Sequence, residues 1–588
     1  MRNYRSQRIS NSPPRQGRGG PARNPDAYAF DVSADQHATD RQPALVPARL
    51  ARGTHGAVAS AHYLASEAGL GILRAGGSAV DAAIATNGAL AVVASYSCGL
   101  GGDAFWLIWD PDEGRVLALN GSGRSAQGAT LEAAAAAGLS EIPTYGPWSV
   151  NTVPGAARSW GDAHARFGRL PWADLLEPAI ELATGFAATD AWAMAVERSA
   201  NRYGSDGDWA RTFRPDGRPW RAGEVVALTA LAGSIRQLAA DGPDTAYSGA
   251  LAASAATYLE RRGSPLRLED FSTHTSDWTE PIATSYRGVT SLSHGPNSSG
   301  PIALTLLGLL ERFPPPPPDD FTPRGVTDPR WVHLGLEAAR VALAERDAWL
   351  TDSQHMTRRA LVDMLDPAVL DRLAAGLDPQ RAAPPRPASL PAGGGTTFLA
   401  AADADGMLVS LIQSNWTGFG SGLVDPDTGI AYHNRGMFFR LDPDHPNVLA
   451  PGKRTMHTLA PGMLLRDGRP WIAHGQQGGE TQPQTFAQFV SGVVDGGLDI
   501  ATAVAAPRWV ALPPQHLAPP TMTVLERHYD LRVAEELTRR GHDVSWTEPF
   551  SLTMGTAQAV EIVAGDGAGE RTLAAAADPR SEGAPAAW

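Results

Sequence analysis

Hydrophobic residues in the first part of the chain recur at helical spacing. Residues 62–74 follow this spacing and end at Gly76-Gly77, a pair typical of a helix C-terminus. Residues 79–94 are apolar on nearly every side, which predicts a helix that is buried all round. A glycine-rich stretch, 97–103, then leads into a predicted strand over 104–109. Ordered structure is therefore predicted from near Thr54 onward.

Helical spacing dominates the region between residues 150 and 350. The clearest amphipathic stretches are 171–184 and 331–350. Five consecutive prolines at 314–318 predict a rigid spacer, and residues 381–395 are rich in proline and end in three glycines. These two segments interrupt the predicted helices.

The pattern changes to strands after this second break. Residues 396–402 and 407–414 flank Asp405-Gly406, and residues 463–465 and 470–473 flank Asp467-Gly468, so each pair predicts a β-hairpin. Residues 481–494 again have helical spacing. Strands facing strands with helices outside predict an α/β fold built as a layered sandwich.

Composition excludes several classes of protein. The chain has 588 residues, of which 43% are apolar and 19% charged, so it is not mainly disordered. Its single cysteine excludes a disulfide framework and a thiolate metal cluster. No apolar run reaches the ~18 residues of a membrane-spanning helix. The formal net charge of −13 argues against nucleic-acid binding.

The N-terminus differs from the rest of the chain. Residues 1–24 carry six arginines and no acid, and no apolar segment follows as in a secretory signal. We predict that residues 1–50 form a disordered basic arm and that the protein is cytoplasmic. The alternative for the arm is an electrostatic contact with an acidic partner.

Common nucleotide-binding and metal-binding motifs do not identify a reaction for this chain. There is no P-loop and no HExxH, and the glycine loops at 99–102 and 418–422 do not fit a dinucleotide fingerprint. Cys98 is interpreted as a buried structural thiol. His433 and His457 are lone histidines, which are more often structural than ligands.

The junction at residue 396 is unusual, because three glycines directly precede Thr396-Thr397 and a predicted strand. One interpretation is a linker that enters a domain. The other is self-cleavage, in which a threonine hydroxyl attacks the preceding carbonyl and the new N-terminal amine then serves as its base. Such an amine has a pKa of about 7.7–8.0, so much of it is neutral near pH 7.

Ordered motifs along residues 54–588 resemble the gamma-glutamyltranspeptidase family of N-terminal-nucleophile hydrolases. In the first two thirds these motifs are Gly76–Ala83, Ser97–Phe105, Val153–Gly155, Phe167–Trp172, Leu268–Phe271, Pro296–Gly300, Glu337–Arg340 and Glu345–Leu350. In the last third they are Thr396-Thr397, Asp405-Gly406, Phe419–Gly422, Gly429-Ile430, Gln477–Glu480, Ala506–Arg508 and Asp578–Arg580.

The resemblance implies a four-layer αββα sandwich that matures by cleavage between Gly395 and Thr396. Residues 51–395 would belong to the large chain and 396–588 would form the small chain, and the two would remain together as a heterodimer. The family's nucleophile corresponds to Thr396, and Ser414 stands where a hydroxyl contacts it. Gly478 and Gly479 match the glycine pair that holds the oxyanion.

The residues that would bind substrate depart from the family pattern. Arg124 is the candidate for binding a carboxylate, and His457-Thr458 replaces a serine pair. The two acceptors of an α-ammonium group are replaced by Arg435, in the pattern Asn434-Arg435-Gly436, and by Phe438. A cation repels an ammonium, so these positions predict an anionic acyl group. The alternative is that Arg435 pairs with an acid at the surface.

We therefore predict a self-processing amidohydrolase of a divergent branch that includes oxamate amidohydrolase and acylase-like members. It would hydrolyse an amide of a small carboxylate-bearing acyl group through an acyl-enzyme. This mechanism implies no cofactor or metal, and the charge and hydropathy described above predict no nucleic-acid or membrane partner. One rival is a true gamma-glutamyltransferase or glutathione hydrolase, and another is an uncleaved binding protein. Transfer to an acceptor and a dimer of heterodimers stay open.

Overall fold

The computed structural model describes residues 49–204, 207–357, 363–384, 395–511, 522–564 and 571–588. Residues 1–48 of the predicted arm, and most of the proline-rich segment before Gly395, lie outside this description. Arg49 and Leu50 belong to a strand, so ordered structure begins slightly earlier than residue 51 or Thr54, where we predicted it. Among the described residues, no helix has both the length and the apolar character needed to cross a membrane.

Two seven-stranded antiparallel sheets form the centre. Sheet 1 contains, in spatial order, β21 (Pro585–Ala587), β2 (Gly56–Ser60), β12 (Gly395–Asp403), β13 (Leu408–Trp416), β3 (Asp103–Asp110), β4 (Arg115–Gly121) and β7 (Asp277–Thr279). Sheet 2 contains β1 (Arg49–Gly53), β20 (Arg571–Ala577), β19 (Thr556–Ala564), β15 (Arg469–Gln477), β14 (Gly462–Arg466), β9 (Val289–Ser293) and β8 (Ile282–Tyr286).

The described residues also form α-helices, several of which cover the outer faces of both sheets. They are α1 (Tyr63–Arg74), α2 (Ala79–Val93), α3 (Leu131–Ala136), α4 (Ala156–Phe167), α5 (Trp172–Thr184), α6 (Asp190–Tyr203), α7 (Asp208–Phe213), α8 (Thr229–Asp241), α9 (Ala250–Arg262), α10 (Leu268–Ser272), α11 (Gly300–Leu310), α12 (Pro329–Trp349), α13 (Pro367–Ala375), α14 (Gln482–Val494), α15 (Ile500–Ala505) and α16 (Leu531–Arg539). Short strands complete the fold: β5 (Phe186–Ala187) with β6 (Val225–Val226), β10 (Phe321–Thr322) with β11 (Gly325–Val326), and β16 (Trp509–Ala511), β17 (Met522–Glu526) and β18 (Asp543–Thr547).

The alternation along β12 explains the layering. Phe398, Ala400 and Ala402 lie in a core between the two sheets, together with residues of β15 and β19. Leu399 and Ala401 point the other way, into the core under the helices. Helices α1, α2 and α4 pack on sheet 1, and α11, α14 and α15 pack on sheet 2. The predicted four-layer αββα sandwich is confirmed.

Local sequence signals predicted the central helix and the two hairpins correctly. Ser78 and Asp81 form a reciprocal capping box at the start of α2, and all residues of that helix are buried. Both predicted hairpins form, and the glycines that close their turns, Gly406 and Gly468, have φ of 95° and 71°. The region 150–350 also contains strands β7 to β9, which the helical pattern did not predict.

Candidate active site

Three polar residues from adjacent strands lie in one row near one end of sheet 1. Thr396 of β12 is paired in register with Ser414 of β13, and Ser414 is paired with Asp103 of β3. The residues two positions further along these strands, Phe398, Ile412 and Phe105, all lie in the core between the sheets. Since side chains alternate along a strand, the row also faces the space between the sheets. Each of its members is about 1% exposed.

The Ser414 hydroxyl connects this row to the peptide bond before Thr396. Its Oγ lies 3.2 Å from Thr396 Oγ1, and it accepts from the Trp416 backbone N–H at 2.8 Å and from Arg435 Nη2 at 3.2 Å. A backbone amide and a guanidinium can only donate, so the proton of Ser414 is free to point elsewhere. It is donated to the Gly395 carbonyl oxygen, 2.6 Å away.

The position before Thr396 requires glycine because the backbone is crowded there. The register of β12 against β13 shifts between Gly395 and Thr396. A Cβ at residue 395 would lie 3.0 Å from the Tyr96 carbonyl oxygen and 3.1 Å from that of Thr417. Both are closer than most real Cβ contacts, and backbone atoms cannot easily give way.

Arg435 is a buried cation next to this group. It begins a short 3₁₀ helix, Arg435–Phe438, and its guanidinium lies 5.0 Å from the Trp416 ring centroid and 5.2 Å from that of Phe438. Nη1 donates to Thr458 Oγ1 at 3.3 Å. Burial lowers the pKa of Arg435 to about 9, although the charge of Asp103 opposes this shift. Arg435 forms no ion pair with any acid in the described part of the chain, so the predicted alternative of a surface salt bridge is wrong.

Asp103 is the last residue of the row, and both oxygens of its carboxylate accept hydrogen bonds. It accepts from His457 Nε2 at 3.0 Å and from the backbone N–H groups of Gly123 and Gly155, each at 3.2 Å. Burial alone would raise its pKa, but nearby His433, His457 and Arg435 hold the pKa well below its ordinary value. Burial also lowers the pKa of His457 to about 3, so its imidazole is neutral.

Two predicted binding residues have other partners. Arg124 pairs with Asp277 at 3.0 Å and with Asp352 at 3.5 Å. Asn434 donates to the Thr144 carbonyl oxygen at 2.7 Å and to Thr417 Oγ1 at 2.9 Å. The structure does not bring either side chain into the hydrogen-bonded group around Ser414, whereas Arg435 belongs to it. A substrate carboxylate would have to compete with Asp277 and Asp352 for the Arg124 guanidinium.

Gly478 and Gly479 form a tight corner at the end of β15. Their φ values are 133° and 60°, and a Cβ on Gly478 would lie 2.2 Å from Thr481 Oγ1. Neither backbone N–H donates a hydrogen bond to another described residue. Earlier in β15, Gly475 faces Phe398 so closely that a Cβ there would lie 2.2 Å from the ring. β15 therefore packs directly over β12, and its corner carries two unused donors.

Sequence reasoning missed Asp103 and Trp416. Asp103 is the last residue of the glycine-rich stretch, but only its register with Ser414 reveals its place in the row. Trp416 lies two residues after Ser414 on the same strand. The alternation of side chains along a strand was therefore the signal that could have placed it near Ser414. Its φ of 75° is unusual for a bulky residue and turns the backbone at the end of β13. Cys98, in contrast, is a buried thiol whose pKa burial raises to about 12.

One group of described residues has the composition of a metal site. Ligand atoms of His333, Glu337 and His542 lie within 4.8 Å of one another. However, His333 Nδ1 and His542 Nε2 are hydrogen-bonded at 2.7 Å, and Glu337 pairs with Arg340 at 2.5 Å. These groups already satisfy one another, so their arrangement gives no reason to invoke a metal.

Comparisons with known proteins agree with this geometry. Residues 65–588 match the family model described as Gamma-glutamyltranspeptidase. The chain is 37% identical over 541 residues to the glutathione hydrolase-like YwrD proenzyme of Bacillus subtilis, covering 90% of this chain and 98% of the relative. It is 36% identical over 543 residues to the oxamate amidohydrolase proenzyme of Klebsiella pneumoniae, covering 91% and 99%. The crystal structure of cephalosporin acylase from Bacillus halodurans has a TM-score of 0.84 at 34% identity, covering 94% of this chain and 99% of that one.

Proposed function

The chain belongs to the gamma-glutamyltranspeptidase family of amide-bond hydrolases, and from that premise we propose that it is a self-processing amidohydrolase with Thr396 as its nucleophile. Thr396 Oγ1 attacks the Gly395 carbonyl carbon, an ester replaces the peptide bond, and water hydrolyses the ester. The products are the chains 1–395 and 396–588, which stay together as a heterodimer.

In the mature enzyme the freed α-amino group of Thr396 takes the proton from its own Oγ1. The hydroxyl then attacks the substrate amide, an acyl-enzyme forms, the amine leaves, and water releases the acid. The free N–H groups of Gly478 and Gly479 stabilise the oxyanion. A preorganised donor of this kind contributes about 2.7–4 kcal/mol to transition-state stabilisation.

The observation that carries the substrate proposal is the position of Arg435. Among the described residues, this buried guanidinium has only hydroxyl acceptors, and a carboxylate would bind it more strongly than Ser414 and Thr458 do. Thr396 and Arg435 are both buried in the uncleaved chain, so we propose that the departure of Gly395 after cleavage opens the pocket. The substrate then brings one negative charge beside the nucleophile.

The distances favour a short acyl group. Arg435 Nη2 and Thr396 Oγ1 are each 3.2 Å from Ser414 Oγ, so they are at most twice that distance apart. Attack needs about 3–3.5 Å from Oγ1 to the carbonyl carbon. A guanidinium–carboxylate hydrogen bond takes about 2.7–2.9 Å. A straight path between the two groups leaves almost no length between carbonyl and carboxylate, so the substrate lies to one side of that path and a short acyl group suits it best. Oxamate, the acyl amide in the name of the Klebsiella relative, has the two groups directly bonded.

The test is a series of amides with one free carboxylate. Ammonia release by the mature enzyme would be compared for oxamate, malonamate, succinamate and glutaramate, with acetamide as the uncharged control. Release of the aniline would be followed for a gamma-glutamyl anilide as the rival substrate. We expect kcat/KM to be highest for oxamate and to fall with chain length. Preference for the gamma-glutamyl anilide would favour the gamma-glutamyltransferase alternative. Equal rates for acetamide and oxamate would contradict the role of Arg435 in binding.

A further inference from the structure

The group around Ser414 bears on maturation as well as on substrate binding. The carbonyl oxygen of Gly395 is the atom on which negative charge develops when Thr396 attacks. It accepts from Ser414 Oγ at 2.6 Å in the uncleaved chain. Ser414 is held in this donating orientation because two groups that can only donate, the Trp416 N–H and the Arg435 guanidinium, occupy the two lone pairs of its oxygen.

One of these two donors, Arg435, carries a full charge. Arg435 Nη2 lies 3.2 Å from Ser414 Oγ, and the residue is 1% exposed. A charged donor strengthens the next hydrogen bond in a chain, and a site without water screens its field weakly. The positive charge therefore reaches the Gly395 carbonyl oxygen through a single hydroxyl.

We propose that Arg435 is a positioning residue for self-cleavage: it fixes the Ser414 hydroxyl as the donor to the Gly395 carbonyl and stabilises the oxyanion formed there. This inference rests on the proposed attack by Thr396. The same guanidinium thus serves twice, first in the uncleaved chain and later, once Gly395 has left, as the anchor of the substrate carboxylate.

Self-cleavage between Gly395 and Thr396 needs no reactant other than water. Thr396 Oγ1 forms a bond to the Gly395 carbon, and the carbonyl electron pair moves onto the oxygen that Ser414 and Arg435 stabilise. When the oxygen re-forms the double bond, the carbon–nitrogen bond breaks and the hydroxyl proton ends on the Thr396 amine. Water then splits the ester into the Gly395 carboxylate and the Thr396 hydroxyl. Arg435 keeps its proton throughout.

The test measures the rate of conversion of newly synthesised full-length chain into two chains, by gel and intact mass after cell-free translation. Variants are Arg435→Lys, Arg435→Met and Arg435→Ala, with Thr396→Ala as the uncleavable control. We expect Arg435→Met to slow cleavage on the order of 100-fold and Arg435→Lys to retain much of the rate. Guanidinium ion at low concentration should restore cleavage of Arg435→Ala, whereas the neutral molecule of the same shape, urea, should not.

The outcomes separate this inference from the proposed function. If Arg435→Met is cleaved at the wild-type rate while the Thr396→Ala control stays uncleaved, the role of Arg435 is overturned and Thr396 remains the nucleophile. Slow cleavage that neither Arg435→Lys nor guanidinium improves would also overturn it, since loss of packing would then be the cause. Cleavage of Thr396→Ala at the same bond would instead overturn the proposed nucleophile. Melting of the double variant Thr396→Ala/Arg435→Ala checks that the uncleaved chain folds.

Discussion

A buried charge cluster reaches the corner that carries the proposed oxyanion donors. Arg508 pairs with Asp578, and its Nη1 donates to the carbonyl oxygens of Gly555 at 2.5 Å and Met554 at 3.1 Å. Gly555 lies beside Gly478, where a Cβ would come within 3.0 Å of the Gly555 Cα. Arg508 therefore fixes the backbone against which the glycine corner packs.

We predict that Asp578→Asn lowers both stability and turnover. The carboxylate also accepts from the Ala557 N–H at 2.7 Å, which an amide oxygen can still do. Within the described part of the chain, the lost charge leaves Arg508 and Arg580 with only Glu526 as a buried counter-charge. Removing one partner of a buried pair costs about 3–5 kcal/mol. Because the amide oxygen can still accept from the Ala557 N–H, we expect the lower end of this range, about 3 kcal/mol of unfolding free energy, to be lost.

Turnover should fall because the glycine corner loses its support. A complete oxyanion donor is worth about 2.7–4 kcal/mol, and partial displacement should cost about half of that. We therefore expect kcat to fall about 10- to 30-fold, with KM within about twofold of wild type, because substrate binding does not use this corner.

The assay is urea unfolding followed by tryptophan fluorescence, together with kcat and KM of the mature enzyme. Asp495→Asn is the matched control, because Asp495 is a buried partner of Arg287 at the far end of α14. It should lower stability with unchanged kcat. An unchanged kcat in Asp578→Asn despite the loss of stability would refute the reasoning, as would an equal loss of kcat in both variants.

Two further predictions concern pH and packing. For an anionic amide, kcat/KM of the mature enzyme should rise as the Thr396 amine loses its proton near about pH 7.7–8.0. Self-cleavage of the uncleaved chain, in which burial lowers the pKa of Arg435 to about 9, should slow above that pH; a self-cleavage rate with no alkaline decline would contradict the role of Arg435. Gly475→Ala should lower unfolding free energy by about 1–3 kcal/mol, because its Cβ would lie 2.2 Å from the Phe398 ring. Thermal unfolding checks this against Gly468→Ala, which has open space around it and strains only the turn, so an equal loss in both would refute the packing argument.

Local sequence signals were sufficient for the elements that carry the site. Asp405-Gly406 predicted the hairpin of β12 and β13, and that hairpin alone places Thr396 opposite Ser414. Strands β8 and β9 were missed because the serine- and threonine-rich segment 282–293 lacks a clear alternation of buried apolar and exposed polar residues. Their place in sheet 2 depends on pairing with distant β14.

The polar environment of the site depended on contacts between distant parts of the chain. The family resemblance pointed to Arg435 as a departure from the usual pattern, but its burial between two rings and its contact with Ser414 needed the fold. Asp103 could be assigned to the site only from the register of β3 against β13. Arg124 shows the reverse case, since Asp277 and Asp352 occupy a guanidinium that the sequence presented as free to bind substrate.

The central claim is that Thr396 cleaves the chain before it and then acts as the nucleophile. The most direct measurement is intact mass and N-terminal sequencing of the purified protein, beside a Thr396→Ala control. We predict two chains in the wild type, the smaller beginning at Thr396, and one chain in the control. A single chain of 588 residues in both, or a second chain that begins elsewhere, would contradict the account.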